Sequence, residues 1–242
     1  MGKTVVITGG AAGIGRAVAQ RCLQQDWDVC LVDRDEQQLE QAAADLGCRS
    51  QAADVTDPEQ LAAAYARAAE ATGSIDGLVN SAGINRPAPS SELSEEDWRS
   101  VIEIDLSGTF YSCQAAFPHL SRGAGIVNLA SVLAARATPG RAAYTAAKIG
   151  VLGVTRVLAV EWAQHGIRVN AIGPAWTDTP MLRGLIDSGA VSESELIGRI
   201  PMGRLCSLAD ILPAVCFLLS ERDAGFITGQ TIYIDGGYTW AG

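Results

Sequence analysis

The run Ala143-Tyr144-Thr145-Ala146-Ala147-Lys148 places a phenol and an ammonium four residues apart, among residues that favour helix. At that spacing both side chains share one helical face, one turn apart. A free tyrosine titrates near pH 10 and a free lysine near 10.4, so neither exchanges protons readily at neutral pH. A cation roughly 5 Å from the phenol oxygen, at an effective dielectric near 20, favours the phenolate by about 3 kcal/mol. That would bring a phenol of pKa about 10 down to about 8. Tyr144 is therefore a candidate acid/base, with Lys148 as its tuning charge. The same spacing is ordinary on a solvated helix, so other residues have to carry the reading.

A second set of chemistry-bearing residues opens the chain. Lys3 to Thr8 is a β-branched run of the kind that forms a buried parallel strand. It breaks into Gly9-Gly10-Ala11-Ala12-Gly13-Ile14-Gly15, and a helical pattern follows to about Gln24. Strand, glycine turn and helix together form a phosphate cradle: backbone amides approach the anion and the helix N-terminus adds partial positive charge. A second strand, Trp27 to Val32, ends at Asp33. A carboxylate at that strand tip accepts hydrogen bonds from a ribose diol and repels a 2′-phosphate. Arg34 beside it is the one feature favouring a phosphorylated dinucleotide. The combination predicts NAD.

The elements that must position these groups alternate. Strands are expected at Cys48 to Ala53, Asp76 to Asn80, Gly125 to Ala130, Gly166 to Ile172 and Thr231 to Ile234. Helices are expected from Glu36 to Leu46, after the Asp57-Pro58 cap, from Glu95 to about Leu120, from the Tyr144 region to about Gln164, and from Leu208 to Leu219. Seven strand-like runs nearly all separated by helices predict an α/β fold, a single-domain, doubly wound and mostly parallel sheet with helices on both faces. Ligands of such sheets bind at the C-terminal strand ends. Gly9, Asp33, Asp54, Asn80, Ser131 and Pro174 all fall there. Residues 174–205 change character, with Pro, Gly, Ser and Thr interleaved with short helical pieces, and read as a lid within the one domain, 1–242.

Bulk properties exclude several classes. The 242 residues are 48% hydrophobic and 19% charged, with a net charge of −9. That sign argues against nucleic acid as a partner. No stretch is expected to span a membrane, and the N-terminus lacks the pattern of a signal peptide, so a cytoplasmic setting is expected. The six cysteines form no C-x-x-C pair and the two histidines stand apart, giving no metal site.

Taken together, these residues resemble the short-chain dehydrogenase/reductase family, from Lys3 to Gly237. Thr8-Gly9-x-x-x-Gly13-Ile14-Gly15, Asn80-Ser81-Ala82-Gly83, Ser131, Tyr144-x-x-x-Lys148 and the Pro174 segment occur in the family's order. The resemblance implies a strand order of 3-2-1-4-5-6-7. It implies that Tyr144 moves the proton of an alcohol/ketone pair, that Ser131 bonds the same oxygen, and that Lys148 lowers the Tyr144 pKa and holds the nicotinamide ribose. Gly9, Ala12, Gly13, Ile14 and Gly15 would cradle the pyrophosphate, with Asp33 and Arg34 at the adenosine ribose and Asp54 and Val55 at the adenine. Asn80, Ala82 and Gly83 would support the cofactor from the fourth strand. Pro174, Trp176, Thr177 and Thr179 would close on its carboxamide end. The family usually has asparagine where Asp105 stands, its backbone carbonyl holding a relay water behind the lysine; Asp105 is expected to keep that carbonyl. Ala175 replaces a usual glycine, which is tolerable only if residue 175 has negative φ.

The expected activity is hydride transfer between NAD(H) and a small secondary alcohol or ketone of polyol, sugar or hydroxy acid type. An NADPH-dependent 3-oxoacyl thioester reductase is the alternative, and a non-catalytic nucleotide-binding scaffold a minor one. Leu133, Arg141, Trp176 and Met181 are expected to line the substrate pocket with Ser131 and Tyr144. Arg141 is read as a surface residue, with recognition of a carboxylate as the other possibility. The family pairs the Glu95 and Tyr144 helices across a dimer and doubles it, which implies a homotetramer.

Overall fold

Alternate residues of each strand feed opposite cores, as a parallel sheet covered on both faces requires. In the computed structural model, which describes residues 2–241, β1 (Thr4–Thr8) gives Val5 and Ile7 to one buried cluster and Val6 to the other. The chain continues through α1 (Gly13–Leu23), β2 (Asp28–Asp33), α2 (Glu36–Leu46), β3 (Arg49–Ala52), α3 (Pro58–Glu70) and β4 (Ile75–Asn80). Its second half holds α4 (Glu95–Val101), α5 (Gly108–Ala116), β5 (Leu120–Leu129), α6 (Ala142–Trp162) and β6 (Arg168–Pro174). It closes with α7 (Pro180–Asp187), α8 (Glu193–Gly198), α9 (Leu208–Leu219), α10 (Glu221–Ala224) and β7 (Thr231–Ile234).

The seven strands pair in parallel, in the order β3-β2-β1-β4-β5-β6-β7. The order reverses between β1 and β4, and a ligand crevice opens outside the strand ends at such a switch point. One face is covered by α1, α2 and α9, through Val18, Leu39, Ile211 and Leu218. The other is covered by α3, α5 and α6, through Leu61, Tyr65, Cys113 and Leu158. Each fully buried Leu, Ile or Val contributes about 1.5–3 kcal/mol relative to exposure. A third, smaller cluster joins Val132, Leu133 and Trp176 to Leu182 of α7, Leu196 of α8 and Ile200. Residues 174–205 thus pack on an apolar patch of their own, and Thr177 bridges Cys206 at the end of the segment.

Helix starts follow the sequence signals. Asp35 accepts from the Gln38 amide, and Asp57 from those of Glu59 and Gln60 with Pro58 in the first turn; such caps contribute about 1 kcal/mol each. Three expectations need correction. The helix expected from Glu95 to about Leu120 is α4 and α5 joined by a π-helical turn, Ile102–Ser107. β5 begins at Leu120, five residues before Gly125, because Leu120 pairs with Ile75 before a register shift. And α6 with its 3-10 extension, Ala142–His165, has the length and mean hydropathy (1.3) of a membrane span. Part of its apolar content packs into the interior, through Val151, Leu152, Leu158 and Ala159.

Candidate active site

The first turns of α6 carry Tyr144 and Lys148 to the end of β5, where Ser131 leaves the sheet. Lys148 is 4% exposed, and its Nζ donates to the Leu129 carbonyl at 3.0 Å. That nitrogen lies 5.4 Å from the centroid of the Tyr144 ring. Ser131 is buried in extended backbone, and its Oγ accepts from the Leu133 amide at 3.2 Å. Ser131, Tyr144, Lys148 and Asp105 line one cleft together.

Asp105 makes more connections than its backbone carbonyl alone. Its backbone oxygen accepts from the Thr109 hydroxyl at 2.8 Å, while its side chain does the connecting. Oδ1 accepts from the Ile84 amide at 2.8 Å, and Oδ2 lies 3.0 Å from Lys148 Nζ in a fully enclosed ion pair, outside the angles of a good hydrogen bond. The π turn places it there: one extra residue per turn swings Asp105 inward, and such turns recur at functional sites. Burial pushes the Asp105 carboxyl above the usual carboxylate range, partly offset by Lys148 and the Ile84 amide. Burial alone would lower Lys148, but Asp105 and Tyr144 reverse this and hold it above its ordinary value.

The consequence reaches Tyr144. Burial raises its phenol above the ordinary value; Lys148 pulls it down, Asp105 pushes it up again, and Ser131 and Arg141 lower it less. The sequence-based figure of about 8 is therefore wrong for the chain by itself. It counted one cation and omitted both the cost of burying a phenolate and the carboxylate paired to that cation.

The other end of the cleft is built from the glycine turn. Gly9, Ala12, Gly13, Ile14 and Asp33 line it. Gly9 has φ +63, and a Cβ there would lie 2.8 Å from the Ala82 backbone. A Cβ on Gly15 would collide with the Gly9 carbonyl. A Cβ on Gly13 would meet nothing, because that residue faces open space at the N-terminus of α1. Ala12 gives this N-terminus no side-chain cap, so its first-turn amides remain free for an anion. Asp33 is fixed at the tip of β2 by the Ala11 amide, at 3.2 Å. Arg34 is exposed, with its guanidinium 3.8 Å from Asp54. These features fit a dinucleotide.

Other residues fall in two groups. Ala82, Gly83, Pro174, Thr177 and Thr179 line the cleft as the sequence suggested. Asp54 and Val55 lie outside its lining. The Asn80 side chain is turned into the core, donating to Asn128 at 2.8 Å and accepting from Ser112; it holds β4 to β5 and α5. Ala175 has negative φ, so losing the usual glycine there is harmless. Asn85 and Leu185 line the cleft without having been foreseen, Asn85 from an irregular loop and Leu185 from the short α7.

Leu133, Trp176 and Met181 border the substrate end with Ser131 and Tyr144. Arg141 neither lies on the surface nor lines the cleft. It is 5% exposed at the start of α6, with its guanidinium carbon 5.8 Å from the centroid of the Trp176 ring.

A dinucleotide cradle facing a Ser-Tyr-Lys group across one cleft defines a nicotinamide-dependent oxidoreductase. A family profile described as enoyl-(acyl carrier protein) reductase matches residues 9–239. D-threitol dehydrogenase of Mycolicibacterium smegmatis is 40% identical over 98% of this chain and 93% of its own. Cis-4-hydroxycyclohexanecarboxylate dehydrogenase of Sinomonas cyclohexanicum is 41% identical over 98% and 96%. The crystal structure of levodione reductase superposes with a TM-score of 0.93 at 33% identity, over 99% of this chain and 98% of that one. The chain belongs to the short-chain dehydrogenase/reductase family, oxidoreductases of alcohol and ketone groups that use a nicotinamide cofactor.

Proposed function

We propose that the protein interconverts a small secondary alcohol and its ketone with NAD(H). The observation that carries the reading is the single cleft with Asp33 at one end and Ser131, Tyr144 and Lys148 at the other. Gly9 to Gly15 hold the pyrophosphate on the free amides of α1, Asp33 accepts from the adenosine ribose, and Thr177 and Thr179 border the nicotinamide end. When bound, the cofactor supplies the hydride chemistry. Tyr144 takes the proton from the substrate hydroxyl in oxidation and returns it in reduction. Ser131 donates to the same oxygen and steadies its developing charge. Lys148, anchored by Leu129 and Asp105, keeps a cation beneath the phenol.

A second reading, an NADPH-dependent 3-oxoacyl thioester reductase, is favoured by the acyl-carrier description of the family profile and by Arg34. Asp33 weighs against it, because a carboxylate at that strand tip repels a 2′-phosphate. The two are separated by following NADH and NADPH absorbance over a panel of polyols, hydroxy acids and their ketones. The expected result is a kcat/KM at least about tenfold higher with NAD than with NADP, a difference of some 1.4 kcal/mol. Tyr144→Phe is expected to lower turnover by about 10²- to 10⁴-fold while NADH affinity stays close to wild type. Equal or better turnover with NADPH, strongest on a 3-oxoacyl thioester, would move the assignment to the second reading.

A further inference from the structure

Arg141 and Arg168 are buried to the same degree, each 5% exposed, but their surroundings differ. The Arg168 guanidinium donates to the carbonyls of Leu218, Ala224 and Leu219 and so closes the C-terminal end of α9. Arg141 has no side-chain hydrogen bond and no acidic partner among the described residues, and its Nη1 is enclosed and unpartnered. Its one close companion is the Trp176 ring, whose Nε1 is also enclosed and unpartnered. Asp105, the buried carboxylate nearby in the site, is already engaged by Lys148 and the Ile84 amide.

A guanidinium stays charged at any working pH. Enclosing it without an anion is costly, and enclosing a second unused donor beside it adds to the cost. Trp176 lines the cleft beside Ser131 and Tyr144; Arg141 does not line it but stands against the Trp176 ring. Arg141 caps the start of α6, three positions before Tyr144, so both side chains leave the same first turn.

We propose that Arg141, with the Trp176 indole, forms an anion subsite that selects substrates carrying a carboxylate a few bonds from the reacting carbinol. This rests on the alcohol/ketone reading above and narrows it: the substrate is a short hydroxy acid or the matching keto acid, not a neutral polyol or sugar. The carboxylate, bound against the Trp176 wall, supplies the counter-charge that Arg141 lacks once the guanidinium turns toward the cleft. Ser131 and Tyr144 hold the carbinol oxygen at the other end, which fixes which carbon faces the cofactor.

The test uses charged and neutral isosteres. The first arm compares kcat/KM for 3-hydroxybutanoate and 4-hydroxycyclohexanecarboxylate with that for their primary amides. For at least one pair the acid is expected to be favoured by about 10- to 100-fold, the worth of a hydrogen-bonded charge, mostly through KM. In Arg141→Gln that ratio is expected to collapse toward one, with partial recovery in Arg141→Lys; a ratio is insensitive to a general loss of folded enzyme. The second arm needs no turnover. Calorimetric binding of cyclohexanecarboxylate and cyclohexanecarboxamide is measured with and without NADH, and the acid is expected to bind at least about tenfold tighter, an advantage lost in Arg141→Gln. Binding of the acid without oxidation of any alcohol would uphold the subsite and sink the hydride-transfer reading. Turnover of neutral alcohols at rates equal to the acids, or equal binding of acid and amide, overturns the subsite while leaving the hydride-transfer reading standing.

Discussion

At the residue scale, the centre of interest is the Asp105–Lys148 pair. Removing one member of a buried ion pair strands the other charge, but Asp105→Asn is mild, because the amide oxygen can still accept from Ile84. The sign of its effect follows from the charges. Asp105 raises Tyr144 and Lys148 lowers it, so deleting the carboxylate leaves the cation unopposed and the phenol pKa falls. Oxidation needs the phenolate, so the rising limb of its kcat/KM profile should move to lower pH in Asp105→Asn. On the acid side of that limb activity should rise, tenfold for each pH unit moved. An unmoved limb, or one moved to higher pH, would show that Asp105 does not act on Tyr144 through charge. Tyr144, Lys148 and Ser131 were legible in the sequence because two of them lie one helical turn apart and the third ends a strand. The Asp105 ion pair and the burial of Arg141 were not. One depends on a local widening of the helix and the other on where the Trp176 ring comes to rest.

At the element scale, the β1–α1 turn tests whether the cleft holds a dinucleotide. A methyl on Gly15 would meet the Gly9 carbonyl, and relief would push the turn into the space above Gly13. Gly15→Ala should therefore weaken NADH binding by about tenfold or more, read by fluorescence titration on the folded protein, and also lower the melting temperature. Unchanged NADH affinity would move the dinucleotide elsewhere. The strands and most helices were readable because β-branched runs, caps and prolines are local signals. Leu208–Leu219 and Thr231–Ile234 fall where the pattern put them. The π turn carries no such local mark. Its hydrogen bonds differ from those of an α-helix by one residue, and only the surrounding packing decides between them.

At the scale of the whole molecule, the apolar surface calls for a partner. Ile149, Val157 and Val160 are 51%, 54% and 80% exposed along α6, and Phe110 of α5 is partly exposed. Residues 149, 157 and 160 share one helical face, opposite the stripe that enters the core. Phe226 and Trp240, on either side of β7, are a further set of exposed apolar side chains. Two such regions suit a dimer of dimers, and light scattering should give about four times the 25.3 kDa chain mass. Val157→Glu with Val160→Glu should lower that mass to a dimer or monomer. A wild-type mass of one chain would leave the apolar α6 face without a partner of its own kind.

The lid's separate apolar cluster has a consequence for inheritance. Leu182, Leu196 and Ile200 pack on Trp176 and Leu133, apart from the two clusters that hold the sheet together. Changes at Met181 and Leu185 of α7, which line the cleft, therefore alter what it admits without reaching the clusters that hold the sheet. Descendants of one sheet and one Ser-Tyr-Lys group can diverge in diet while their architecture stays fixed. The lid is where such a lineage is free to experiment.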